Sequence, residues 1–100
     1  MSLPRSHSDV IFDAIGKSTL ITWYVFDHAG DEIALHSHDD FSHSSSVVSG
    51  RFEFYDGEGH SIERGPTETV EFPKGRRHAI RALIDGSVLL SINEPGTTAK

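Results

Sequence analysis

The chain is short, acidic and free of cysteine. Its 100 residues are 36% hydrophobic and carry a formal net charge of −6, which suits one small domain with a single core. The absence of cysteine excludes disulfides, thiolate nucleophiles and cysteine-ligated metals. The chain has no dense Lys/Arg run of the kind that binds nucleic acid. No apolar run approaches the roughly 20 residues of a membrane span. The N-terminus lacks the apolar centre of a secretory signal, so the expected compartment is the cytoplasm.

Short segments rich in β-branched and aromatic residues alternate with turn residues along the chain. Residues 9–16 have a faint helical pattern, and we interpret them as an arm or an edge strand. The expected strands cover residues 18–27, 32–38, 43–48, 51–55, 60–63, 69–72, 78–84 and 87–92. Many short strands without a convincing helix predict an antiparallel sandwich or barrel. We expect an N-terminal arm (1–17), one barrel domain (18–95) and a C-terminal tail (96–100).

Two separated segments carry regularly spaced glycine, histidine and proline. They read Gly30-(x)5-His36-x-His38-(x)4-His43-(x)6-Gly50 and Gly65-(x)7-Pro73-x-Gly75-x-x-His78. Residues two apart on a strand project from one face, so His36 and His38 can bind one ion. His43 and His78 can complete the set from neighbouring strands. Imidazole is the commonest protein ligand for transition metals, and the spacing therefore predicts a metal site at His36, His38, His43 and His78.

These two segments resemble the two motifs of the cupin superfamily. The resemblance covers residues 30–82 by motif, and it implies an all-β, antiparallel double-stranded β-helix, or jelly-roll barrel. Two positions depart from the family pattern: His43 stands where a glutamate is usual, and Ala82 replaces an asparagine. The resemblance implies one divalent transition metal per chain, and iron, manganese, nickel and zinc all remain candidates. With four neutral ligands the ion keeps its full positive charge, which favours an anionic ligand.

Strand alternation predicts which side chains surround the metal. From His36 it places Ala34 and His38 on the inner side. The expected substrate pocket comprises Ser45, Val47, Phe52, Phe54, Phe72, Ile80 and Trp23, although the pattern does not decide between Trp23 and Tyr24. An apolar cavity beside a cation suits a small, partly apolar molecule with one or two oxygen donors.

One basic cluster, residues 74–77, precedes His78. It has two interpretations: a solvated turn, or a small positive patch at the pocket mouth that attracts an anionic substrate.

Two classes of function are compatible with this sequence. No nucleophile elbow, P-loop or dinucleotide-binding glycine pattern is present. The resemblance favours a mononuclear metal-dependent enzyme of the oxygenase type, acting on a small enolisable or carboxylate substrate. The alternative is a non-catalytic module that binds or senses a metal or small ligand. A barrel of this size presents sheet edges that it cannot cover alone, so we also expect a homodimer, with residues 10–15 contributing to the interface.

Overall fold

In a computed structural model of the chain, the described residues are 3–12, 14–15, 18–36, 43–72 and 75–93, without the side chains of residues 43 and 93. Within these ranges the chain forms β-strands and no helix. The strands are β1 (Arg5–Phe12), β2 (Ser18–Phe26), β3 (Glu32–His36), β4 (His43–Ser49), β5 (Phe52–Tyr55), β6 (Ser61–Arg64), β7 (Thr69–Phe72), β8 (His78–Ala82) and β9 (Ser87–Asn93). Accordingly, the described residues contain no helix that could cross a membrane.

The strands form two antiparallel sheets. The larger sheet has the order β1-β2-β9-β4-β7, and the smaller has the order β3-β8-β5-β6. Every pair of neighbouring strands is antiparallel. Chain neighbours such as β3 and β4 lie in different sheets, so the chain passes repeatedly from one sheet to the other. The predicted all-β antiparallel architecture is confirmed.

The core lies between the sheets and is dominated by phenylalanine. Phe52 and Phe54 alternate with half-buried Glu53 on β5, as the sequence pattern predicts for a strand with one buried face. Phe26 meets the edge of Phe52 from the opposite sheet, with ring centroids 4.9 Å apart at 76°. Each fully buried aromatic side chain contributes about 1.5–3 kcal/mol through removal of apolar surface from water. The aromatic contacts therefore hold the two sheets together.

On β2 the inward aromatic residue is Tyr24. Tyr24 packs against the core cluster, whereas Trp23 is 40% exposed and lies opposite His7 and Leu90 in the strand register. The buried residues Thr22 and Phe26 set this phase, because side chains two apart on a strand share a face. Trp23, expected in the pocket, is instead on the outer face.

The segment with the ambiguous helical pattern contributes to an edge strand. β1 pairs with β2 along its whole length, from Arg5 opposite Val25 to Phe12 opposite Ser18. All residues of β1 are exposed, so its sequence lacks the alternation of apolar and polar residues that marks a half-buried strand. Pairing with β2 outweighs local helical preference here.

Candidate metal centre and adjoining cleft

His36 and His78 lie side by side at the end of the smaller sheet. They are register partners across β3 and β8, and their ring centroids are 4.4 Å apart. A register shift separates this pair from the pair Ile33 and Ile80. Ile33 packs against the core, while Ala34 is exposed. The expected inward position of Ala34 is therefore corrected: the irregularity changes the alternation of β3, and His36 meets His78 without Ala34 lying on the same side.

Both imidazoles are held by backbone carbonyls. The Nδ1 atom of His36 lies 2.7 Å from the carbonyl oxygen of Ala34, and that of His78 lies 3.1 Å from the carbonyl oxygen of Arg76. A carbonyl oxygen only accepts, so Nδ1 carries the proton in each bond. In the neutral rings Nε2 then keeps its lone pair, which is the form that binds a metal.

Phe72 fixes the plane of the His78 ring. The two rings stack at 4.1 Å between centroids and at 19°, and His78 is only 2% exposed. His36 contacts the same imidazole edge-on, at 62°. Packed cores restrict side chains to few rotamers, so this contact leaves His78 little freedom to turn.

The other two predicted ligands fall at the limit of the described residues. His38 lies outside them. The backbone of His43 is in β4, opposite Phe72 on β7 and Asn93 on β9, but its side chain is not described. Among the described residues no group of three or more potential ligands is placed to hold a metal, and these residues supply the side chains of only two of the four predicted histidines. The full ligand set therefore stays a prediction.

A cleft of about 250 Å³ opens beside His78. It lies between β6 and β7, each of which is an edge strand of its own sheet. Its apolar lining consists of Phe54, Ile62, Val70 and Phe72. The β5–β6 hairpin and the segment before β8 add polar and charged side chains. The cleft therefore has an apolar wall and a charged rim, with one of the predicted ligands in its lining.

At the rim, Asp56 is held by its own hairpin. Its Oδ1 accepts from the backbone N–H of Glu58 at 2.7 Å and of His60 at 3.3 Å, and Oδ2 lies 2.9 Å from Nδ1 of His60. These bonds, the Glu58 N–H first among them, hold the pKa of the Asp56 carboxyl below its usual range. This carboxylate is therefore satisfied locally.

The expected pocket residues divide between cleft and core. Phe54 and Phe72 line the cleft, while Val47, Phe52 and Ile80 belong to the buried core cluster. The remaining inward residue, Ser45, is fully buried, and its hydroxyl lies 3.1 Å from that of Ser91. Sequence reasoning did not identify Ile62 and Val70 as cleft residues, because the cleft depends on which strands end each sheet.

Comparison with solved structures identifies the fold. The chain superposes on KdgF from a Halomonas species with a TM-score of 0.75, at 20% identity, covering 90% of this chain and 78% of that one. A Klebsiella pneumoniae protein with a double-stranded β-helix domain gives 0.76 at 20% identity, with 97% and 81% covered. An RmlC-like cupin from Desulfovibrio desulfuricans gives 0.72 at 23% identity, with 91% and 83% covered.

The chain has the double-stranded β-helix fold of the cupins. Comparison with protein-family models gives no match, and comparison with curated protein sequences gives none either. The fold is therefore established by structure, while the chemistry has to be argued from the site.

The cupin fold explains a glycine of the first motif. Gly50, between β4 and β5, has a φ of +84°. A Cβ atom there would lie 2.1 Å from the Ser87 hydroxyl and 2.7 Å from the Ser87 Cα. Only glycine combines this dihedral angle with such a close approach of two backbones. The motif glycine thus connects the two sheets at the start of β5.

Proposed function

We propose that this protein is a mononuclear metal-binding cupin that acts as an oxygenase-type enzyme on a small oxygen-donor substrate. The observation that supports the metal site is the His36–His78 pair, in which both Nδ1 atoms are bound to backbone carbonyls. Such contacts are typical of metal-ligating histidines, because they fix the tautomer and aim the ring. His38 and His43 complete the proposed ligand set.

The donor set fits a divalent transition metal. Imidazole nitrogens suit iron, nickel, copper and zinc, and the fold family adds manganese. Bound there, the metal would supply Lewis acidity that favours the enolate or carboxylate form of an oxygen donor. Four neutral imidazoles leave its positive charge uncompensated, which strengthens that preference.

The described residues have distinct roles in this proposal. His36 and His78 hold the metal, and the carbonyls of Ala34 and Arg76 select the neutral tautomer in which Nδ1 carries the proton and Nε2 the lone pair. Phe72 stacks on His78 and forms part of the cleft wall, where it excludes water from the apolar side of the substrate.

Ligand binding and turnover can be separated with an enolisable diketone. Acetylacetone added to iron-loaded protein is expected to change the visible absorption spectrum, and oxygen uptake with loss of the diketone would support the oxygenase. His78→Gln keeps a polar side chain of comparable length without imidazole, so it should abolish both signals while circular dichroism shows a folded protein. His7→Ala, on exposed β1, is the control and should leave both unchanged.

The contrary outcome is equally clear. If the iron-loaded protein retains its metal and no chelating anion changes its absorption spectrum, the proposed enzymatic function is contradicted. That result would favour the non-catalytic module, in which the histidines close the coordination sphere.

A further inference from the structure

Two arginines at the rim of the cleft have no described partner. Neither the Arg76 nor the Arg77 guanidinium has a hydrogen bond or ion pair in the described part of the chain. The other arginines there each bind an acceptor: Arg5 the Asp27 carboxylate, Arg51 that of Glu63, Arg64 the Glu63 carbonyl, and Arg81 the Glu32 carboxylate. Adjacent exposed guanidinium groups repel each other, and a bound anion relieves that repulsion.

Both arginines line the cleft, together with its apolar wall. Asp56 and Glu71 also line the cleft, but neither carboxylate pairs with these guanidinium groups. The Asp56 carboxylate accepts hydrogen bonds from its own hairpin. Glu71 is exposed on β7, and the described residues show no hydrogen bond or ion pair between its carboxylate and either arginine. The positive groups are thus available to a ligand.

We propose that the cleft binds a small molecule with a carboxylate at one end and an apolar body. Arg76 and Arg77 take the carboxylate, for which the planar guanidinium has matching geometry. Phe54, Ile62, Val70 and Phe72 contact the apolar body. His78 lines the same cleft, which places the ligand beside the histidine pair. This inference names a substrate class and rests on the proposed function for that role.

A pair of matched ligands tests the arginines. 3-Phenylpropionate has the required carboxylate and ring, and 3-phenylpropionamide has the same shape without the charge. Calorimetry on the full chain should show the acid binding more tightly than the amide. Hydrogen bonds to charged groups contribute about 1.5–3 kcal/mol, so the double variant Arg76→Gln/Arg77→Gln should bind the acid roughly 10–100-fold more weakly. Arg64→Gln, outside the cleft, should bind it like the parent.

Three results would overturn the inference. They are equal affinity for acid and amide, undiminished acid binding by the double variant, and no saturable binding of the acid at millimolar concentration. Circular dichroism of each variant checks that the fold is retained.

Metal content separates this inference from the proposed function. The variants keep the Arg76 backbone carbonyl that orients His78, so their metal content should equal that of the parent. Acid binding should be measured on both chelator-treated and zinc-loaded protein. A parent that takes up no metal even when zinc is added, but still binds the acid through its arginines, would refute the metalloenzyme and leave the anion site. A metal-loaded parent that binds the acid no more tightly than the double arginine variant would refute the anion site and leave the metal site.

Discussion

The imidazole of His78 lies between two rings of different character. Phe72 stacks on one side, with centroids 4.1 Å apart, and His36 approaches edge-on at 4.4 Å. The phenyl ring restricts the plane of the imidazole, and the Arg76 carbonyl fixes which nitrogen carries the proton. A buried histidine with both properties can give the lone pair of Nε2 to a metal without reorganisation.

His43 is expected to be a true ligand at the position where the family has glutamate. His43→Ala should lower metal affinity by more than the roughly 10–100-fold typical of losing a residue that only orients a ligand. His43→Glu should keep the metal, because a carboxylate oxygen replaces the imidazole nitrogen and reduces the site's positive charge. Competition with a chromophoric chelator measures both. Parent-like affinity in His43→Ala would remove this residue from the ligand set.

Alternation predicted the buried face of β5, because Phe52 and Phe54 interrupt polar residues at a spacing of two. The same reasoning did not predict the inner face of β3, where a register shift before His36 changes the pattern. Trp23 and Tyr24 are both good strand residues, so only pairing with β9 and the burial of Phe26 decide which one faces the core. The carbonyls that hold the histidines leave no trace in sequence, since every residue has one.

Gly50→Ala should destabilise the fold more than Gly59→Ala. Both glycines have positive φ, +84° and +93°, a conformation that costs a non-glycine residue on the order of 1–3 kcal/mol. Only at Gly50 would the new Cβ meet another residue, the backbone and side chain of Ser87, whereas the space around Gly59 is open. Urea denaturation measures both free energies of unfolding. Equal losses would show that Ser87 moves away at negligible cost.

The two tyrosines should titrate at higher pH in the folded protein than in the unfolded chain. Burial raises the pKa of Tyr24, and burial together with the adjacent Glu32 carboxylate raises the pKa of Tyr55. Because the folded pKa values exceed the unfolded value of about 10, the stability that these groups confer is fully present below that pH. It is lost as the pH rises through the folded pKa values.

Absorbance at 295 nm follows both phenols, since the chain has only two tyrosines. Glu32→Gln should lower the Tyr55 midpoint and leave that of Tyr24 in place. A single transition at the unfolded midpoint in the folded parent would contradict the pKa directions.

We propose that β1 mediates a homodimer. It is an edge strand, and it exposes Val10, Ile11 and Phe12 by 54%, 51% and 66%. An uncovered apolar edge is a template for pairing with a second copy. Sedimentation should give twice the chain mass of 11.0 kDa. Ile11→Lys should shift it to the monomer, whereas Ile84→Lys, at an exposed bend, should not. A parent monomer at every concentration would refute the dimer.

Elemental analysis of untagged protein, purified without added metal, tests the metal centre most directly. We expect about one equivalent of transition metal per chain. The content should fall in His36→Gln and His78→Gln, and it should be unchanged in His7→Ala, whose imidazole is exposed on β1. Less than roughly a tenth of an equivalent in the parent, or undiminished metal in the His36 and His78 variants, would contradict the assignment.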